Sequence, residues 1–256
     1  MTKTIERAHY QVTFAVLVTG VSAYALLQSL VIPALSTIGH DLHTTQITWV
    51  VTAYLLSASV FTPIMGRVGD MIGKERVLVA TLVALSAGSL IAGLAHSLGV
   101  LIIGRAVQGI GGGTLPLSFG IIRDEFPRAK VPTAIGTIAA MTAVGGGLGT
   151  IIAGPIVSSL GYHWLFFLPM IVTIVAAVAT FFFVPESPVR TPGRVSWMSA
   201  LLLSGWLVTL LVAVSEASSW GWVRRASWGC SHSRWSCSSC GFSVNRERQS
   251  RLLISP

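Results

Sequence analysis

The strongest constraint on this chain is where charge is missing. No Asp, Glu, Lys or Arg occurs from Ala8 to His40, Leu42 to Gly66, Val77 to Gly104, Ala106 to Ile122, Val131 to Pro185, or Val195 to Ser215. A helix that rises about 1.5 Å per residue needs about 20 mostly apolar residues to cross about 30 Å of hydrocarbon. The apolar cores of these windows supply seven such stretches: Val12–Ala34, Ile47–Met65, Val77–Ala95, Val100–Ile122, Ala134–Val157, Trp164–Val184 and Ser196–Ser215. Only 10% of the residues are charged, against about 25% in soluble chains. So little charge cannot clothe a water-soluble globule. The expected fold class is an all-α integral membrane protein whose partner is the lipid bilayer.

The charges that remain are sorted by side. Lys3 and Arg7 precede span 1, Arg67, Lys74 and Arg76 lie between spans 2 and 3, Arg123, Arg128 and Lys130 follow span 4, and Arg190 and Arg194 follow span 6. The alternate loops (35–46, 96–99 and 158–163) carry no Lys or Arg. The positive-inside rule then predicts a multi-pass protein of the plasma membrane with a cytoplasmic N-terminus. The same placement argues against a nucleic-acid partner despite the net charge of +8, because the basic residues are dispersed over membrane turns and form no solvent-facing basic domain. The first span is too long for a signal-peptide core and has no small-residue cleavage site after it, so a retained helix is expected.

Between spans 2 and 3 the chain reads Gly66-Arg-Val-Gly-Asp70-Met-Ile-Gly73-Lys74-Glu-Arg76. Glycines permit a sharp reversal and close helix approach. Asp70 can pair with a local guanidinium or face a helix N-terminus, and Lys74 and Arg76 can hold the turn at an anionic leaflet. The reading stays open between a capped turn and a gating latch. In span 4, Leu101-Ile-Ile-Gly-Arg105-Ala-Val-Gln108-Gly109-Ile-Gly111-Gly112-Gly113 places Arg105 as the one formal charge inside any predicted span. A guanidinium at a helix centre costs about 2.5–3.5 kcal/mol on insertion scales. It must either face a protein interior or cavity with an acceptor, for which Gln108 on the same helix face is the nearest candidate, or snorkel to the outer interface. In span 5, Gly145, Gly149 and Ala153 recur every four residues and make a smooth face for a second helix; Gly154-Pro155 follows.

These segments, with Trp49-Val-Val-Thr-Ala-Tyr54 in span 2, resemble the signatures of the Major Facilitator Superfamily, and among its branches the fourteen-helix drug:proton antiporters. The likeness runs over about residues 12–222. It implies a six-helix N-terminal bundle (12–184) after a cytoplasmic N-terminus (1–11), then a cytoplasmic loop (185–195) and a seventh transmembrane helix (196–215). By the same resemblance, Arg105, Gln108, Gln28 and the weaker aromatic candidate Tyr54 would line a substrate and coupling site. Gly66, Asp70, Gly73, Lys74 and Arg76 would form a gating loop, and Gly145, Gly149, Ala153, Gly154 and Pro155 would pack helices. The implied activity is secondary active efflux of small amphipathic or cationic compounds, coupled to protons, as in multidrug resistance. Two departures stand against the antiporter pattern. The family's first-helix acid is matched here by Gln28, an amide that cannot titrate near neutral pH, and its Gly-Pro pair in span 5 is matched by Gly149-Thr150.

No nucleophile–base set is expected in a pocket, so an enzyme is not, and neither is a cofactor. The Gly109–Gly113 run lies in an apolar helix without the Gly-Lys-Ser/Thr ending of a phosphate loop. Residues 223–256 hold all three Cys (Cys230, Cys237, Cys240), nine Ser and six Arg; this spacing fits zinc poorly and no metal site is expected. Arg234–Phe242 can be encoded by codons that, shifted one base, read Leu-Val-Leu-Leu-Val-Leu-Arg-Val. A frameshift near Trp222 that leaves a truncated transporter with a disordered tail and no second half is therefore the expectation. Secondary active efflux by such a chain competes with an inert inserted fragment and with a half-transporter that needs a second half.

Overall fold

Hydrocarbon offers the backbone no water, so each apolar window must pair its own N–H and C=O groups and folds as a helix. The computed structural model describes residues 2–44, 46–186, 205, 206 and 209. Its helices are α1 (Thr2–Asp41), α2 (Thr48–Ile72), α3 (Lys74–Gly93), α4 (Leu98–Gly109), α5 (Thr114–Glu125), α6 (Val131–Leu160) and α7 (Trp164–Phe183). A single 3₁₀ turn, Ile110–Gly113, joins α4 to α5, so the two form the fourth span. Among the described residues six spans are long and apolar enough to cross a membrane. Apart from residues 205, 206 and 209, the predicted seventh span lies outside the described residues, as do residues 187–195 of the loop before it and the 223–256 tail.

The boundaries depart from expectation where no helix breaker intervenes. α1 continues back to Thr2 as helix, although the stretch apolar enough to cross a membrane begins at Tyr10, and it runs on to Asp41 through Pro33. A proline inside a helix removes one hydrogen bond and does not by itself end it. The loop expected over 35–46 thus shrinks to the turn after Asp41. At the other end of the bundle, Gly73 alone reverses the chain between α2 and α3, at φ 131° and ψ 130°, a region that favours glycine.

Packing follows the internal order of the chain. α1 packs on α6 and α7, α4 packs on α2 and α3, and α3 packs on α7. Exchanging the first three spans for the last three maps α1·α6 onto α4·α2, maps α1·α7 onto α4·α3, and leaves α3·α7 in place. That pattern matches the internal repeats from which many transporters are built. Two apolar clusters fill the two ends. Leu78, Leu117, Ile121, Phe126 and Ile138 gather near the Gly73 turn; Ile38, Val50, Leu101, Ile156 and Phe166 gather at the opposite end. α2 and α6 are the most open spans. α2 buries Val50, Tyr54 and Gly69, and α6 exposes Leu148, Ile151 and Ile152.

Candidate functional site: the Arg105 network

The fourth span can carry a charge because its neighbours come close enough to enclose it. A methyl on Gly104 would sit 2.7 Å from Ala92 N of α3, and one on Gly88 of α3 would sit 2.6 Å from Gln108 N. Real Cβ contacts are not that short, so only glycine lets these two backbones meet. On the other flank Gly109 abuts Ser57 and Ala58 of α2, Gly112 abuts Thr62, and Gly113 abuts Met65. Ser57 Oγ donates to Ala106 O across this contact. The glycine run therefore serves helix packing, and it supplies three of the four residues of the 3₁₀ turn.

Arg105 ends up 2% exposed and does not snorkel to an interface. Its Nη1 donates to Gln108 Oε1 at 2.9 Å, and Gln108 Nε2 donates to Ser89 Oγ at 2.9 Å. Ser89 Oγ passes its own hydrogen to Leu85 O at 2.8 Å. The relay fixes the Gln108 amide with its oxygen toward the guanidinium. Two aromatic faces flank the cation, Phe166 of α7 with its centroid 5.4 Å away and Tyr54 of α2 at 5.8 Å, a geometry in which ring quadrupoles attract a guanidinium. Arg105 Nε is buried with no acceptor. Every Asp and Glu among the described residues lies at or near a helix end, so the cation has no carboxylate within the interior of the spans. Buried charge without a counter-ion is costly and marks functional sites in membrane helices.

Tyr54 Oη donates to Tyr24 Oη of α1 at 2.7 Å. Gln28 is half-buried one turn beyond Tyr24, on the same stripe of α1. The four residues singled out from the sequence thus fall on α1, α2 and α4, with Gln108 and Tyr54 each in reach of Arg105. Ser89, Phe166 and Tyr24 were not singled out. A serine in an apolar helix and a phenylalanine at a span start carry no distinguishing pattern; Ser89 is legible only as a small residue among small residues.

The Gly66–Arg76 turn is built on ion pairs. Lys74 Nζ lies 2.8 Å from Asp124 Oδ2 and 3.2 Å from Asp70 Oδ1; Arg76 Nη2 lies 3.0 Å from Glu186 Oε2. Asp70 therefore pairs with an ammonium where a guanidinium had been expected. Lys74 is buried between two carboxylates, so it is not a leaflet anchor. Of the three glycines, Gly73 makes the reversal and Gly69 meets Leu117, while a methyl on Gly66 would have ordinary room. The turn, with Pro116, Phe119, Gly120 and Arg123, lines a cavity of about 320 Å³.

On α6, Gly145 faces Ala25 and Ser22 of α1, Gly149 faces Ser29 and Leu26, and Ala153 is fully buried. Ser29 Oγ reaches Gly145 O at 3.4 Å. Gly154 and Pro155 do not share this seam: nothing lies within 4 Å of a methyl on Gly154, and Pro155 is exposed. Those two positions are a correction to the expected packing set. Residue 154 falls about 100° further around the helix than Ala153, which turns it away from α1.

Residues 17–231 match the family model described as Major Facilitator Superfamily. The chain is 30% identical over 218 residues to multidrug resistance protein 3 of Bacillus subtilis, covering 83% of this chain and 42% of that protein. It is 32% identical over 208 residues to a uridine/deoxyuridine transporter of Lactococcus lactis subsp. cremoris, covering 78% and 42%. Among solved structures, a D-xylose–proton symporter superposes with a TM-score of 0.63 at 15% identity, covering 82% of this chain and 53% of that one. The chain spans about two-fifths of the length of these curated relatives.

Proposed function

Because this chain belongs to the Major Facilitator Superfamily, we propose that it forms the N-terminal six-helix bundle of a secondary exporter of small amphipathic compounds. The observation that carries the reading is Arg105, held inside the bundle by Gln108, Tyr54 and Phe166 with its Nε–H unpartnered. A buried cation with spare donor capacity is a group that a passing ligand or a moving proton can address. Gln28 and Tyr24 extend that polar stripe onto α1. The open faces of α2 and α6 are where we place a second six-helix body, against which this bundle rocks in alternating access. The Gly66–Arg76 turn, with its Lys74–Asp124 and Arg76–Glu186 pairs, is the latch that we assign to the cytoplasmic side. The charge distribution supports a plasma-membrane location with the N-terminus inside.

Proton coupling in this bundle does not run through Gln28, and the substrate class is taken from relatives whose names include a multidrug resistance protein. A half that acts with a second half is the form of the proposal that α2 and α6 favour, since both are mostly exposed within one bundle. Reconstitution tests it. The purified chain is placed in liposomes alone and together with a separately produced C-terminal bundle from the Bacillus relative, and efflux of ethidium is followed by fluorescence. Efflux from the pair that is lost with Arg105→Gln supports the assignment. Equal efflux from wild type and Arg105→Gln would remove Arg105 from the mechanism, and no efflux in any combination would reject transport.

A further inference from the structure

The end of the bundle opposite the ion-paired turns is built on different chemistry. Its three turns, 42–47, 94–97 and 161–163, contain no Lys or Arg. Their titratable groups are His43, His96, Tyr162 and His163, with His40 and Asp41 in the last turn of α1. Two of these histidines, one from the α3–α4 turn and one from the α6–α7 turn, face each other with ring centroids 5.9 Å apart and planes inclined by 47°. Each ring is braced from behind. His96 Nδ1 lies 2.8 Å from Leu94 O, a distance that assigns the Nδ1–H tautomer when the ring is neutral. Tyr162 stacks on His163 at 3.9 Å, and Tyr162 Oη donates to Ala95 O at 3.1 Å, so the same two turns are tied together twice.

We infer that His96 and His163 form a proton-binding site that clamps the α3–α4 turn to the α6–α7 turn while at least one ring is neutral and loosens it when both are protonated. A first proton leaves one imidazolium beside one neutral ring. A second puts two cations closer together than the roughly 8 Å screening length of physiological salt, so the two rings then repel. The groups facing the pair are few. Asp41 of α1 is the single carboxylate and favours the charged form, Tyr162 covers one ring face, and His40 and His43 flank Asp41 in the chain. The adjoining ends of α2, α4, α6 and α7 carry no titratable side chain. Burial first, and then His96, push His163 below the ordinary imidazole value, with Asp41 opposing. The sign follows. A folded-state value below the unfolded one means that the unfolded chain binds more protons. The stability from the neutral pair is therefore present above the unfolded value and is lost as pH falls through the folded one.

That this end faces outward rests on the orientation proposed above; the pairing itself does not. The test is an imidazole proton NMR titration of the full chain in detergent micelles, from about pH 8 to about pH 4.5, with His96→Asn and His163→Asn used for assignment. In wild type, His163 should titrate below the unperturbed imidazole value of about 6.5, and in His96→Asn it should move up toward that value. The melting temperature should fall on acidification in wild type, and the double variant His96→Asn/His163→Asn should lose much of that fall. An unchanged His163 curve in His96→Asn overturns the proposal. If the variants do not fold, wild type still decides it, because a His163 ring titrating at the ordinary value would also overturn it. Labelling a His43→Cys variant, with Cys230, Cys237 and Cys240 changed to Ser, by an impermeant maleimide from outside intact cells reads orientation separately. Labelling only after permeabilisation would put the pair on the inner side and leave its titration untouched.

Discussion

Two seams hold this bundle together, and the repeat pattern makes them counterparts: α6 against α1, and the fourth span against α2. Both rest on glycine faces pressed against small residues, Gly145 and Gly149 on Ala25 and Ser29 in one, Gly109 and Gly112 on Ser57, Ala58 and Thr62 in the other. Both carry a serine hydroxyl that crosses to a backbone carbonyl. They differ in what the closeness encloses. The α1–α6 seam joins two uninterrupted helices and encloses no charge; Lys130, which donates to Tyr10 Oη, lies exposed at its rim. The fourth span breaks into a 3₁₀ turn and, just before it, holds Arg105 with its Gln108–Ser89 relay. One device thus serves two ends: in one seam it supplies packing, and in the other it also helps to enclose a cation. We read the first as scaffold and the second as site.

The largest effect should come from blocking either seam. Gly149→Leu and Gly109→Leu both drive a side chain into serines and backbone that cannot yield, and overpacking of this kind costs about 1–3 kcal/mol or more. Both variants should lose the monodisperse peak in fluorescence-detected size-exclusion chromatography or melt well below wild type. Gly154→Leu, which points into open space, should stay within about 0.5 kcal/mol of wild type, as surface changes usually do. A seam that tolerates leucine is not a seam, and the comparison would fail there first.

The next effect separates site from scaffold. Gln108→Leu leaves Arg105 Nη1 without its acceptor, and losing a hydrogen bond to a charged group costs about 1.5–3 kcal/mol. Arg105→Met/Gln108→Leu removes both partners. Replacing a buried charged network by apolar side chains of similar volume is often neutral or stabilising by about 1–4 kcal/mol. The double variant should therefore melt at or above wild type while abolishing any efflux measured with a second bundle. If Gln108→Leu and the double variant are equally destabilised, Arg105 is part of the scaffold and the distinction between the seams collapses.

Much of this was legible before any coordinates. Charge-free windows gave all six described spans, because hydrocarbon leaves the backbone few alternatives. Gly145, Gly149 and Ala153 could be placed on one face because a period of four is a geometric statement. What was not legible depended on partners distant in sequence. Lys74 looked like a leaflet anchor because nothing near it in the chain reveals Asp124, fifty residues on and 2.8 Å away. Ser89 and Phe166 became part of the Arg105 network only when α3 and α7 were packed against the fourth span. Gly154 was grouped with its neighbours by proximity in the chain, although a single residue step turns it off the seam. The 3₁₀ break was hidden because Ile110–Gly113 is apolar enough to continue a span.

The smallest expected effect asks whether the two seams also differ in their polar stitches. Hydrogen bonds between membrane helices average about 0.6 kcal/mol, with a maximum of about 1.7 kcal/mol. Ser57 Oγ donates to Ala106 O over a short distance, and that bond crosses directly from α2 to the helix that carries Arg105. Ser29 Oγ divides its hydrogen between Leu26 O of its own helix at 3.2 Å and Gly145 O across the seam at 3.4 Å, so its interhelical share is weak. Ser57→Ala should therefore lower stability by about the average membrane hydrogen bond, and Ser29→Ala by less than half of that, both read as shifts in melting temperature. The alanine methyls keep the serine Cβ but remove an Oγ that also lies against Gly109 or Gly149, so each shift reads the hydrogen bond together with that contact. Equal shifts would mean that the stitches are interchangeable. A larger loss from Ser29→Ala would reverse the assignment and make the α1–α6 seam the one in which polar contacts govern assembly.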